Sequence, residues 1–251
     1  MGDNCPPHKR PKILCFHGSG SSGAIYQAQG RKLFRALEKD FQFVYFDAPF
    51  PSVPGPGMRP AYEDSGPFFR WQSDDKAFEN FDITEEEVYQ EKQETLNRIM
   101  RHVENGGDEP FVGIFAFSQG ARVATGFLRY IQKRHLDGAT NLPLFKFIVL
   151  NSGTYPPLTL EEDTEFTDGF KALEDKQPPA TRPRFQQFPL ASIHVQGLYD
   201  PWRAESSKLL GLYDSQQSSV IEFRGGHQVP VTDKDTNLVV KAVREMYEKI
   251  T

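Results

Sequence analysis

Ser118, Asp200 and His227 have the types and the order along the chain that nucleophilic acyl-transfer chemistry uses. Ser118 stands in AFSQG, after the apolar run FVGIFAF and before a helix-patterned stretch. A nucleophilic serine on a sharp strand-to-helix turn has a strained backbone, so the positions two before and two after it must be small. Ala116 and Gly120 meet that requirement. Ala116 is one methyl larger than the glycine usual there, and its Cβ is expected to face a small gap beside the following helix. The competing reading is a serine that merely caps that helix.

A serine at neutral pH needs a base, and the sequence has six histidines. His8 lies in the polar start, His102 beside Met100 and Arg101 on a helix, and His135 at a helix end where a cation complements the dipole. His194 reads as a core histidine inside a strand. His17 and His227 remain. His227 follows the last strand in FRGGHQVP, on a turn freed by Gly225 and Gly226, which places it at a sheet edge. Asp200 ends the strand SIHVQG in LYDPW, where it can orient an imidazole; by itself it is a turn aspartate ahead of Pro201.

Gly18, Gly20 and Gly23 spell G-x-G-x-x-G between a strand and a helix, and Asp47 closes the next strand, near where a dinucleotide fold places its ribose-binding acid. The same glycines suit an oxyanion hole, whose backbone N–H donors would be Ser19 and Gln119. The dinucleotide reading leaves the ordered serine, aspartate and histidine unexplained. It predicts cofactor binding that Asp47→Ala abolishes.

The elements that must position these groups alternate in type. Strands are expected at 12–17, 41–46, 111–117, 144–151, 192–197 and 219–223. Helices are expected at 24–39 despite Gly30, at 84–105, 119–135, 203–213 and 233–249. Thr84 and Glu87 form a capping box ahead of Val88, Leu96, Ile99 and Val103, and Gly106 and Gly107 end that helix. In the last helix Leu238, Val239, Ala242, Val243 and Met246 should face inward. This is the pattern of an α/β fold with a mostly parallel central sheet and helices on both faces, as one domain over 1–251. Two insertions, 47–83 and 152–189, follow strands and so emerge at the carboxyl edge. Six prolines crowd 49–67 and six more occupy the second insertion. Both are candidate pocket walls or lids.

Composition narrows the function. A net charge of −5 from 29 basic and 34 acidic residues leaves no electrostatic footprint for nucleic acid. The apolar runs are of strand length, and the polar start MGDNCPPHKRPK lacks the hydrophobic core of a signal peptide, so no membrane association and a cytoplasmic location are expected. Gly2 invites myristoylation, but Pro6 occupies the position that needs Ser or Thr. Cys5 and Cys15 have no metal-ligand spacing and are not expected to pair, and Cys15 reads as strand packing.

The segments KILCFHGSGSSGAIYQAQ, FVYFDAPF, GPFFRW, FAFSQGAR, HVQGLYDPW and GGHQVP, in that order, resemble the FSH-type family of serine hydrolases, the yeast FSH and OVCA2-like enzymes with many fungal biosynthetic-cluster members, within the α/β-hydrolase superfamily. The family's usual elbow is G-F-S-Q-G, from which Ala116 departs. The resemblance implies Ser118 as nucleophile, Asp200 as orienter and His227 as base, acting on an ester or thioester with no cofactor and no metal. It also implies release of a polyketide-type chain from a synthase acyl carrier protein, in secondary metabolism. Phe50, Phe68, Phe69, Trp71 and Trp202 would then line an apolar acyl pocket, their alternative being core packing. The other functional readings are a short-chain carboxylesterase and a ligand-binding protein of the same fold that turns over slowly.

Overall fold

Alternation along the first strand, β1 (Lys12–Phe16), divides the interior in two. Ile13 and Cys15 pack into one hydrophobic cluster and Leu14 and Phe16 into another, on the opposite face of the sheet. The computed structural model describes residues 10–73, 84–174 and 187–251, so Gly2, Cys5, Pro6 and His8 lie outside the described residues. The other strands of the sheet are β2 (Gln42–Tyr45), β5 (Phe111–Phe117), β6 (Phe147–Asn151), β7 (Ala191–Gly197) and β8 (Ser218–Phe223). Between β2 and β5 come β3 (Phe50–Ser52) and β4 (Phe68–Arg70).

The six long strands form one sheet in the order β2-β1-β5-β6-β7-β8, every neighbouring pair parallel. On one face lie α1 (Gly23–Gln29), α2 (Arg31–Leu37) and α7 (Asp233–Ile250), through Tyr26, Phe34, Val239 and Val243. On the other lie α3 (Glu85–Glu104), α4 (Gln119–Leu136), α5 (Thr164–Glu174) and α6 (Arg203–Leu210), through Ile99, Phe127, Phe166 and Leu209. This is the α/β-hydrolase architecture, and the centre of the sheet is buried on both sides, which is why β5, β6 and β7 read as continuous apolar runs. Among the described residues no helix is long and apolar enough to cross a membrane.

Three expectations are corrected. The helix expected over 24–39 is two helices, because Gly30 sits at φ −91°, ψ 13° and a Cβ there would lie 2.3 Å from the Phe34 ring. The helix expected to reach 213 ends at Leu210, where the 3₁₀-like turn through Gly211 closes it. Leu238 is 45 % exposed, since the buried stripe of α7 runs through Thr236, Val239, Val240 and Val243 and leaves it one helical step off the sheet.

The insertions have internal structure. In the first, β3 and β4 pair antiparallel, and Phe69 bridges to Ser21 by a mutual pair of backbone hydrogen bonds. In the second, Tyr155, Leu158, Phe166, Phe170 and Phe188 are buried in the same cluster as α4, so these residues are core.

Candidate active site

Four parallel strands end in residues that converge: Gly18 follows β1, Ser118 follows β5, Asp200 follows β7 and His227 follows β8. Carboxyl ends of strands are where open α/β sheets place their chemistry, because every crossover starts there and every helix on that side points its positive end inward.

Ser118 is held at φ 53°, ψ −122°, a conformation that non-glycine residues rarely adopt. Its N–H bonds to the Asn151 carbonyl at 3.1 Å, and its carbonyl accepts the Ala121 N–H at 3.0 Å. The hydroxyl makes no helix-capping hydrogen bond. It lies instead 2.8 Å from Nε2 of His227, whose Nδ1 is 2.9 Å from Oδ2 of Asp200. The tight fit beneath the turn explains Gly120: a Cβ there would come within 2.5 Å of the His17 carbonyl oxygen. Ala116 is fully buried, in the same hydrophobic cluster as Phe16, Ala121 and Ala124.

Asp200 is buried, which by itself raises a carboxyl's pKa. The hydrogen bond and charge of His227 and the Trp202 N–H, 2.8 Å from Oδ1, outweigh that burial and hold Asp200 below the usual carboxylate range. The nearby Ser152 hydroxyl pulls the same way without completing a hydrogen bond. Phe117 and Trp202 pack on the His227 ring, with centroids 5.1 Å and 4.6 Å away. The imidazole is therefore fixed by its ring faces as well as by its nitrogens.

His17 has a different position. It is fully buried, donates from Nδ1 to the Gly18 carbonyl at 2.7 Å and accepts the Ala48 N–H at Nε2, 2.9 Å away. Burial pushes its pKa down to about 4, so it is a neutral strut. His194 is also buried, its pKa pushed down to about 3 by burial, with Ser192 Oγ 3.2 Å from Nε2. Cys15 is a buried free thiol whose pKa burial raises.

Of the oxyanion candidates, Gln119 opens α4 and Ser19 lies between Gly18 and Gly20. Among the described residues neither backbone N–H has a hydrogen-bond partner. Residue 18 is adjacent to the nucleophile, since a Cβ on Gly18 would lie 3.2 Å from Ser118 Cβ. Gly20, at φ 62°, is covered by the insertion: a Cβ there would meet the Gly55 nitrogen at 2.1 Å, and the Gly55 N–H bonds the Gly20 carbonyl at 2.9 Å. Asp47 accepts the Gly23 N–H at 2.8 Å. Both features oppose the dinucleotide reading, because the glycine loop is packed against protein backbone and the acidic side chain already has a donor.

The five aromatic candidates do not line the cavity of about 290 Å³ beside His227. Trp71 is fully buried: its indole donates to the His17 carbonyl at 2.8 Å and its own N–H reaches Gln119 Oε1 at 2.9 Å, leaving no surface for a substrate. Phe50, Phe68 and Phe69 are half-buried on the β3–β4 hairpin, with Arg70 over the Phe50 ring, and Trp202 supports His227. The cavity wall is built from Pro56, Gly57 and Tyr62 of the first insertion, the α1–α2 junction and the segment after His227. Sequence reading had the first insertion as a candidate wall but missed the α1–α2 junction and the segment after His227, and it missed Ser152, whose φ of 45° at the end of β6 is signalled only by the Asn-Ser-Gly that ends the strand.

A family model described as Serine hydrolase (FSH1) matches residues 7–239. The chain is 35 % identical over 245 residues to Thioesterase FSL2 of Gibberella zeae, covering 95 % of this chain and 93 % of the relative. It is 34 % identical to Esterase FUS5 of Gibberella fujikuroi, covering 95 % and 88 %. Among solved structures, esterase PE8 superposes with a TM-score of 0.55 at 17 % identity over 95 % of this chain and 93 % of that one. The Bacillus cereus carboxylesterase gives 0.53 at 17 % identity over 94 % and 89 %. At such identities these structures speak for the fold alone.

Proposed function

This chain belongs to the serine hydrolase (FSH1) family, and from that membership we propose that Ser118, His227 and Asp200 are its catalytic residues, hydrolysing an ester or thioester through an acyl-enzyme. The observation that carries the assignment is the continuous hydrogen-bond series from Ser118 Oγ through His227 to Asp200, with the serine in a strained turn.

In this reading His227 Nε2 takes the hydroxyl proton as Ser118 Oγ adds to the carbonyl carbon. The Nδ1–H donates to Asp200, which fixes the tautomer and stabilises the imidazolium. The carbonyl electron pair moves onto oxygen, and the N–H groups of Ser19 and Gln119, together with the amino end of α4, receive the oxyanion. Collapse breaks the bond to the thiol or alcohol, which leaves with the proton from His227. Water, deprotonated by the same imidazole, then adds to the acyl-serine, and a second collapse releases the acid and restores Ser118. No step calls for a cofactor or a metal.

The substrate we favour is an acyl thioester of polyketide type, presented on a carrier protein. Two things support it: the likeness to a relative named a thioesterase, and the resemblance of the sequence motifs to biosynthetic-cluster hydrolases. A short-chain carboxylesterase is the second reading, favoured by the modest size of the cavity beside His227. We take the chain as a single hydrolase domain, since both faces of one sheet account for its two core clusters.

Intact-mass measurement after fluorophosphonate treatment tests the site: one adduct is expected on the wild type and none on Ser118→Ala. Equal labelling of the two would refute the assignment. Acid release from carrier-bound and small-thiol thioesters tests the substrate class, which fails if only simple alkyl esters are cleaved.

A further inference from the structure

The cavity beside His227 has apolar walls, including Ala28, Pro56, Phe117 and Val229, and among the described residues no aspartate or glutamate lines it. Three polar groups on the wall have no partner. Arg31 makes no hydrogen bond or ion pair among the described residues, and the Tyr62 hydroxyl makes none either. The Oε1 of Gln29 is sealed from solvent without a donor. Lys32, the other cation on the wall, is paired with Asp233 at 2.6 Å. Among the described residues of the wall, Arg31 is therefore the lysine or arginine without a partner; it also borders the neighbouring cavity lined by Gln27, Phe34 and Tyr45.

An exposed cation at the rim of a largely apolar cavity, with a hydroxyl and an amide at hand, offers directed, charge-assisted donors to an anion. The Gln29 amide nitrogen, unlike its sealed oxygen, keeps its access, so all three groups can donate at once. The break at Gly30 sets this up, since it places Gln29 at the end of α1 and Arg31 at the start of α2 on one wall.

We propose that this cavity receives an anionic group carried by the substrate, held by Arg31 with Tyr62 and Gln29. The proposal rests on the serine hydrolase reading of Ser118, because the cavity wall includes His227, which must serve the reacting bond. The anion has two sources of the same chemistry: a carboxylate on the acyl chain, or a phosphate on the thiol arm that leaves.

The test compares three thioesters on wild type, Arg31→Gln and Arg31→Lys: neutral butyryl-N-acetylcysteamine, carboxylate-bearing succinyl-N-acetylcysteamine, and butyryl-coenzyme A. Arg31 is exposed, so its replacement should leave the fold intact. Arg31→Gln is expected to lower kcat/KM for an anionic substrate relative to the neutral one by about tenfold or more, as loss of a charge-assisted hydrogen bond does, with most of the loss restored in Arg31→Lys. A fall confined to the succinyl ester places the anion on the acyl chain; one confined to the coenzyme A ester places it on the leaving arm. Unchanged ratios for both, in an enzyme that turns over the neutral thioester and takes the fluorophosphonate on Ser118, overturn this inference alone. An enzyme that does neither removes the hydrolase reading and this inference with it.

Discussion

Gln119 ties the nucleophile's helix to the first insertion: its side chain accepts the Trp71 N–H at 2.9 Å and donates to the Gln72 carbonyl at 3.2 Å. The residue that supplies a proposed oxyanion donor through its backbone thus anchors the insertion through its side chain. Gln119→Leu strands two buried backbone groups, each costing about 1–3 kcal/mol. A lower Tm is expected, by about 2–4 °C for each kcal/mol lost, together with a reduced kcat. Thermal unfolding and steady-state rates check this, and a wild-type Tm contradicts it.

Asp200→Asn removes the charge that orients His227 while keeping the side chain's shape. Loss of the correct tautomer should lower kcat by about 10³–10⁴-fold with the fold intact. Rates measured alongside circular dichroism decide the matter; a loss below tenfold would mean that another group orients His227.

The two buried histidines make stability fall with acid. An unfolded histidine binds a proton below its ordinary value of about 6.5, whereas folded His17 stays neutral to about 4 and His194 to about 3. Between those limits the unfolded state holds more protons, so stability rises with pH; it is fully present above about 6.5 and is lost progressively toward 4 and below. The depressed carboxyl of Asp200 acts in the same direction at lower pH, its contribution being lost as pH falls through its folded value. Tm measured from pH 7.5 to 4 should slope downward, and His194→Phe should flatten the slope; a flat wild-type profile would sink the account.

Ala116→Gly should leave the rate nearly unchanged, with a loss of about 0.5–1 kcal/mol from backbone entropy. Gly120→Ala should be far worse, since its Cβ would lie 2.5 Å and 2.6 Å from two backbone oxygens that cannot move aside. Parallel Tm and rate measurements on both variants test the contrast, and equal effects would refute it.

All six strands of the sheet were legible because period and apolar content there are local properties. The order Ser118, Asp200, His227 was legible too, because each residue follows a strand. The Gly30 break was not, since it depends on Phe34 lying against the glycine. Trp71 read as a pocket wall, but hydrogen bonds to His17 and Gln119 bury it, and those partners are distant in sequence. The β3–β4 hairpin escaped notice because its strands are three residues each and set among prolines.

The backbone contact between Gly20 and Gly55 has a practical consequence for building chimeras. With no room for a Cβ at either residue, the segment after β1 and the first insertion must be transplanted together. Exchanging residues 47–83 with a relative's segment should yield a working enzyme only when the donor brings a glycine to meet Gly20, however well the rest of the segment matches.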